Sequence, residues 1–259
     1  MSLFDSHMIL AIIGTAIVGG FIGLDRTAAG QFMISQPIVA GPLTRWMLGD
    51  PTAGIVIGAV LELIWVVDMP VGAFVPANST ISTVSATAIA ALGSHGVAPL
   101  PVIGFSLLLT TAMVPMTMMA DNVVRKMNSR QADATAIFSR EDEGRTLARA
   151  HLSGLALFYL KSFVLCLVFL PIGITAVALF SRLPENFHRA MSLFVKLLPL
   201  LGAALIVRKL SMKMIDLFLL TGFMIAAVLG QIFHVPAFIV ILLTIMGGWL
   251  GARYSGLRR

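Results

Sequence analysis

From Met69 through Ala120, 52 consecutive residues, the chain carries no Asp, Glu, Lys or Arg. A folded domain in water draws about a quarter of its residues from the charged types, so an uncharged stretch of this length has no place on a water-facing surface. The rest of the chain agrees, with 58% hydrophobic and 12% charged residues in 259 and a mean hydropathy of +0.95. Apolar runs recur near 8–24, 32–48, 52–67, 71–92 and 99–120, and again at 152–181, 190–207, 214–232 and 235–252. A bilayer crossing needs roughly 20 apolar residues, and a chain in lipid must satisfy its backbone internally, so runs of this length read as helices rather than barrel strands. The expected fold class is all-α: a polytopic integral membrane protein with about 7–9 membrane segments, some re-entrant or broken.

The formal charge of +6 does not point to nucleic acid, because the Lys and Arg residues lie between apolar segments rather than on one basic face. They read as topology signals. The interval 121–151 holds Arg125, Lys126, Arg130, Arg140, Arg145 and Arg149 and is expected in water on the cytoplasmic side. This divides the chain into an N-terminal membrane region (1–120), a cytoplasmic loop (121–151) and C-terminal membrane helices (152–259). The N-terminal MSLFDSH lacks the basic residues that open a secretory signal, so the first apolar segment is expected to be retained. Cys166 is the only cysteine, which excludes an intramolecular disulfide and a cysteine metal cage.

Charged and amide side chains at bilayer depth are costly and persist mainly where they face a cavity or a partner. Glu62 is the sharpest case, set among Leu61, Leu63, Ile64 and Trp65; Asp68 closes the same run. Pro70, Gly72 and Pro76 then interrupt the next segment ahead of Asn78. Broken backbone at that depth exposes polar groups able to bind a polyol, although Pro76 and Asn78 equally suit a plain turn. Asp25, Gln31 and Gln36 form a second irregular patch, 23–50, where neutral amides supply donors and an acceptor without charge. Short or broken apolar segments are the best sequence pointer to a transporter's binding site. Ser79, Thr80, Ser82, Thr83, Ser85 and Thr87 crowd one helix and favour close packing.

Lys161 and Lys196 read as structural cations, the second able to snorkel. Met113, Met116, Met118 and Met119 read as packing rather than a soft-metal site, and the five histidines show no zinc spacing. Walker, Rossmann and Gly-x-Ser-x-Gly signatures are absent, so no catalytic residue, cofactor or metal is expected.

The order of elements from about residue 20 to 90 is Gln31-Phe32 before Pro37, Gly41-Pro42-Leu43 and Leu48-Gly49-Asp50. A Gly-rich helix ending in Leu61-Glu62 and then Val71-Gly72-Ala73 and Pro76-Ala77-Asn78 follow. This series resembles the IIC membrane subunit of mannose/fructose/sorbose-type phosphotransferase systems. Where many members carry His-Arg before the proline, this chain has Ser35-Gln36. The resemblance implies a non-enzymatic subunit of the bacterial inner membrane that translocates a hexose or related sugar. It implies a IID-type membrane subunit and soluble IIA and IIB components as partners, in a homo- or hetero-oligomer, with phosphorylation done on IIB. Glu62, Asn78, Gln31 and Asp25, with Gln36 and Asp68, would then line the sugar path. Two other readings stay open from the residues: an ion-coupled secondary transporter with Glu62 as its ion site, and a membrane scaffold or sensor acting through 121–151.

The basic counts predict a topology: six cations in 121–151 and three beyond residue 252 lie inside, and the two in 182–189 lie outside. Cysteine-accessibility labelling is expected to place 182–189 opposite both other regions; labelling of 182–189 and the C-terminal tail from one side contradicts it.

Overall fold

The computed structural model describes residues 5–65, 76–94, 98–135, 143–210 and Met246. Every element among them is a helix: α1 (Ser6–Asp25), α2 (Pro37–Met47), α3 (Thr52–Trp65), α4 (Ser79–Gly93), α5 (Pro99–Ala112), α6 (Val114–Thr135), α7 (Glu143–Phe180) and α8 (Glu185–Leu210). The chain divides into two compact units, Met1–Ala203 and Ala204–Arg259, and the site lies in the first. The apolar runs at 214–232 and 235–252, and Asp68, lie outside the described residues apart from Met246. By length and apolarity, Ser6–Asp25, Gly144–Phe180 and Glu185–Ile206 are able to cross a membrane, and α5 with α6 form one further candidate span bent by 42°. The shorter apolar helices are α3 and α4.

Lipid offers no hydrophobic drive between helices, so close backbone approach through small residues has to hold them. Two Gly-x-x-x-Gly pairs do this. Gly19 and Gly23, with Gly20, turn α1 onto α7, where an added Cβ at Gly19 would sit 2.8 Å from Cys166 Sγ and one at Gly20 2.6 Å from the Tyr159 ring. On α3, Gly54 and Gly58 face α2, and the approach is backbone to backbone: a Cβ on Gly41 would lie 2.5 Å from the Gly54 carbonyl oxygen, and one on Gly58 would collide with the carbonyl of Pro37.

The hydroxyl-rich α4 runs through the middle, with every residue from Ser79 to Ile89 buried. One side packs with α1 and α7 through Ile12, Ala16, Val84, Ala88, Phe169 and Ile174. Another joins Ala86 to Ile57 and Leu61 of α3, Ile103 and Leu107 of α5, and Val195 and Leu198 of α8. The bend after α5 falls at Met113, and Pro115 accounts for it: with no N–H it cannot continue the helical ladder.

Most of the interval 121–151 is not a loop. Helix α6 continues through Asp121 to Thr135, and α7 begins at Glu143. At 38 residues α7 is about 57 Å long, far more than the roughly 30 Å that a hydrocarbon core requires. Ser153 Oγ donates to Gln131 Oε1 at 2.7 Å and ties α7 to α6. Asp121 itself is buried, only 5% exposed.

The glycine contacts set a stability prediction. Gly58→Ala forces backbone apart and is expected to destabilise by about 1–3 kcal/mol, whereas Gly14→Ala, with nothing near its added Cβ, is expected to be neutral. Thermal unfolding of the purified variants checks this; equal melting of both contradicts it.

Candidate functional site

Polar side chains gather at the interruption between α1 and α2 and at the start of α4, where several of them meet backbone that the interruption has freed. Where α1 ends, Asp25 (7% exposed) accepts hydrogen bonds from Phe32 N at 2.6 Å and Ser35 N at 2.9 Å. It thereby folds the segment 30–36 back over the end of its own helix. The segment turns through left-handed backbone at Gly30, Gln31 and Met33, with φ of 79°, 54° and 66°. Arg26 reaches the start of α4, donating to the Ala77 carbonyl at 2.7 Å and to Ser79 Oγ at 2.8 Å. Thr80 Oγ1 donates to the Ser35 carbonyl at 2.8 Å, which joins the folded segment to α4.

Asn78, 1% exposed, is the N-cap of α4: its Oδ1 accepts from Ile81 N at 3.2 Å. Its Nδ2 donates to Asp121 Oδ2 on α6 at 3.2 Å. The other carboxylate oxygen of Asp121 takes the Lys161 ammonium of α7 in a buried ion pair. Lys161 also lies 5.3 Å from the centroid of the Phe158 ring. A buried pair gains little net stability over an apolar pair, but removing one partner strands a charge and costs about 3–5 kcal/mol. Asp121 and Lys161 therefore fix α6 against α7 at the place where α4 begins.

Glu62 solves the same problem for α2. Pro37 supplies no N–H, and Gln36 at the N-cap makes no side-chain cap bond. Glu62 reaches across from α3 and its Oε2 accepts from Ile38 N at 3.2 Å, a carboxylate at the positive end of a helix dipole. It remains half-buried rather than enclosed.

Of the residues singled out from sequence, Asp25 and Asn78 are buried and committed to backbone, Glu62 is half-buried, and Gln31 and Gln36 are exposed on the segment that Asp25 holds. Sequence reading missed Arg26 and Asp121 as site residues and treated Lys161 as a lone structural cation. The available signal was opposite charge: Lys161 inside an apolar run and Asp121 at the end of another meet the rule that intramembrane charges pair. Among the described residues no cluster of His, Cys, Asp and Glu is able to hold a metal ion. The arrangement offers carboxylate acceptors, amides and cations, the groups that bind polyols, and no activated nucleophile.

This is an all-helical membrane protein with charged and amide side chains at its helix breaks. The chain belongs to the family described as the PTS system sorbose-specific IIC component, whose family model matches residues 8–250. It is therefore a phosphotransferase-system IIC component of the sorbose/mannose type, a class of transport subunits. It is 25% identical over 242 residues to the sorbose-specific EIIC component of Lacticaseibacillus casei, covering 88% of this chain and 79% of that one. With an Escherichia coli (strain K12) chain provisionally named N-acetylgalactosamine permease IIC component 2, it shares 35% identity over 82 residues; the match spans 32% of this chain and 61% of that one. The fold matches a solved structure of the mannose transporter ManYZ in complex with microcin E492, with a TM-score of 0.55, 17% identity, and coverage of 98% of this chain and 96% of that one.

The ion pair yields a prediction. Lys161→Met alone is expected to lower stability by about 3–5 kcal/mol, and Lys161→Met combined with Asp121→Asn to recover most of that loss. Thermal unfolding of the three proteins checks this; a double variant no better than the single contradicts it.

Proposed function

We propose that this chain is the sugar-translocating IIC subunit of a mannose-type phosphotransferase system in a bacterial inner membrane. In this reading it works with a IID-type membrane subunit, and the sugar it delivers is phosphorylated by a IIB component charged through IIA. The observation that carries the reading is the family match over 8–250, supported by polar groups gathered at helix breaks without catalytic machinery.

The proposed sugar contacts are Glu62, Gln31 and Gln36, with Asp68 on the stretch that follows α3. Gln31 and Gln36 are exposed, and Glu62 Oε2 takes the Ile38 amide, which leaves lone pairs for a sugar's adjacent hydroxyls; Asp68 lies outside the described residues. Asp25 and Asn78 belong to the same site but act mainly by shaping it, since their polar atoms already serve the backbone at 32–35 and 81.

The test is uptake of candidate hexoses by cells carrying this chain with IIA, IIB and IID components. Glu62→Gln is expected to raise the half-saturating sugar concentration at least about tenfold, equivalent to ~1.4 kcal/mol. Asn78→Ala is expected to act in the same direction and also to lose about 1 kcal/mol of stability with its helix cap. Unchanged affinity in both variants, at checked abundance, contradicts the site. Uptake that persists without a phosphoryl donor contradicts the transport reading and favours an ion-coupled carrier.

A further inference from the structure

A cavity of about 630 Å³ lies between the start of α5, the end of α7 and the first turns of α8, apart from the residues described above. Ala98 and Pro101 close one side; Ser181, Glu185, His188, Arg189, Ser192 and Lys196 supply the polar groups. Positions 185, 188, 189, 192 and 196 follow helical spacing, so they form one face of α8, extending about 16 Å down its axis.

The hydroxyls and the imidazole in the cavity are already engaged. Ser192 Oγ donates to the His188 carbonyl at 3.0 Å and Ser181 Oγ to the Ala178 carbonyl at 2.8 Å. His188 Nε2 lies 3.2 Å from the Phe180 carbonyl, while its Nδ1 lies 3.8 Å from Glu185 Oε2. Glu185 Oε1 lies 3.6 Å from Arg189 Nε. What remains free to donate is the rest of the Arg189 guanidinium and the Lys196 ammonium, and Lys196 has no hydrogen-bond or ion-pair partner among the described residues. Glu185 pairs with Arg189, so Lys196 is the one cation in excess over the carboxylate. Such a set selects an anion over a neutral polyol, which would need hydroxyl or amide donors and free acceptors in balance.

The floor of the cavity leads onto lipid-type surface. Leu193 lines it, and Leu193, Leu197, Leu200 and Leu201 continue down α8, each more than half exposed. An anionic group seated between Arg189 and Lys196 would carry any attached acyl chain along this stripe. Basic pockets beside membrane helices hold lipid head groups in this way.

We propose that this cavity is a binding site for an anionic phospholipid of the leaflet on the 182–189 side. The phosphate is held by Arg189 and Lys196, and an acyl chain lies along Leu193, Leu197 and Leu200. The site does not depend on the sugar-transport reading, and its test reads melting rather than uptake, so the two fail separately.

The full-length chain, purified in detergent, is titrated with phosphatidylglycerol, phosphatidylcholine or glycerol phosphate while its thermal unfolding is followed. Phosphatidylglycerol is expected to raise the melting temperature. The double variant Arg189→Gln/Lys196→Gln should need about tenfold or more lipid for the same shift, from the loss of two phosphate-facing cations. Arg182→Gln, exposed at the same end but outside the cavity lining, should respond as the parent does. Equal stabilisation of parent and double variant, or equal effect of phosphatidylcholine, overturns the proposal. Glycerol phosphate acting at the same concentration as the lipid shows a soluble-anion site and overturns the lipid assignment. Stabilisation seen only when a second membrane subunit co-purifies shows that a protein covers this face, and overturns it too.

Discussion

In hydrocarbon, every backbone N–H and C=O must find a partner within the protein, and the N-terminal half of this chain breaks its helices repeatedly where that requirement is most severe. The described structure meets it with charged and amide side chains. Asp25 takes the amides of Phe32 and Ser35, Arg26 takes the carbonyl of Ala77, Asn78 takes the amide of Ile81, and Glu62 takes the amide of Ile38. Asn78 and Asp25 repair the break beside them, while Arg26 and Glu62 reach across from another element. Together they tie the ends of α1, α2 and α4, in addition to the side-by-side packing of these helices. That explains why a chain so poor in charge places Asp, Arg, Glu and Asn at these positions.

The same repairs make a polar site out of what would otherwise be apolar packing. Side chains that serve the backbone cannot also swing freely, so Asp25 and Asn78 present fixed geometry, while Gln31 and Gln36 are exposed and Glu62 is half-buried. In the sugar site proposed above, preorganisation of this kind lowers the ordering cost of binding. Asp121 and Lys161 stand behind the start of α4 and lock α6 to α7, so the frame is rigid on one side, and the glycine contacts between α2 and α3 hold the other.

Much of this was legible in the sequence. The run at 8–24 became Ser6–Asp25, and the run at 52–67 became Thr52–Trp65 within the described residues. Glu62, Asn78 and Asp25 stood out because their type contradicts their surroundings. The Asp121–Lys161 pair did not, because 40 residues separate its members and hydropathy says where a charge is costly but not which distant charge relieves it. The lengths of α6 and α7 were hidden for a related reason: their outer turns are polar, and a hydropathy reading ends a segment where the helix does not. The sequence also could not distinguish a side chain that binds solute from one that binds backbone, since Asp25 and Glu62 look alike until their partners are seen.

The most direct measurement is amide hydrogen exchange across residues 30–38 in the parent protein and in Asp25→Ala, at equal membrane insertion. If the carboxylate holds this segment, removing two hydrogen bonds to a charged group, each worth about 1.5–3 kcal/mol, will speed exchange at Phe32 and Ser35 by about tenfold or more, while the amides of α4 beyond its first turn stay protected. Unchanged exchange at Phe32 and Ser35 would show that the break is satisfied in some other way, and the account of the site built on it would be wrong.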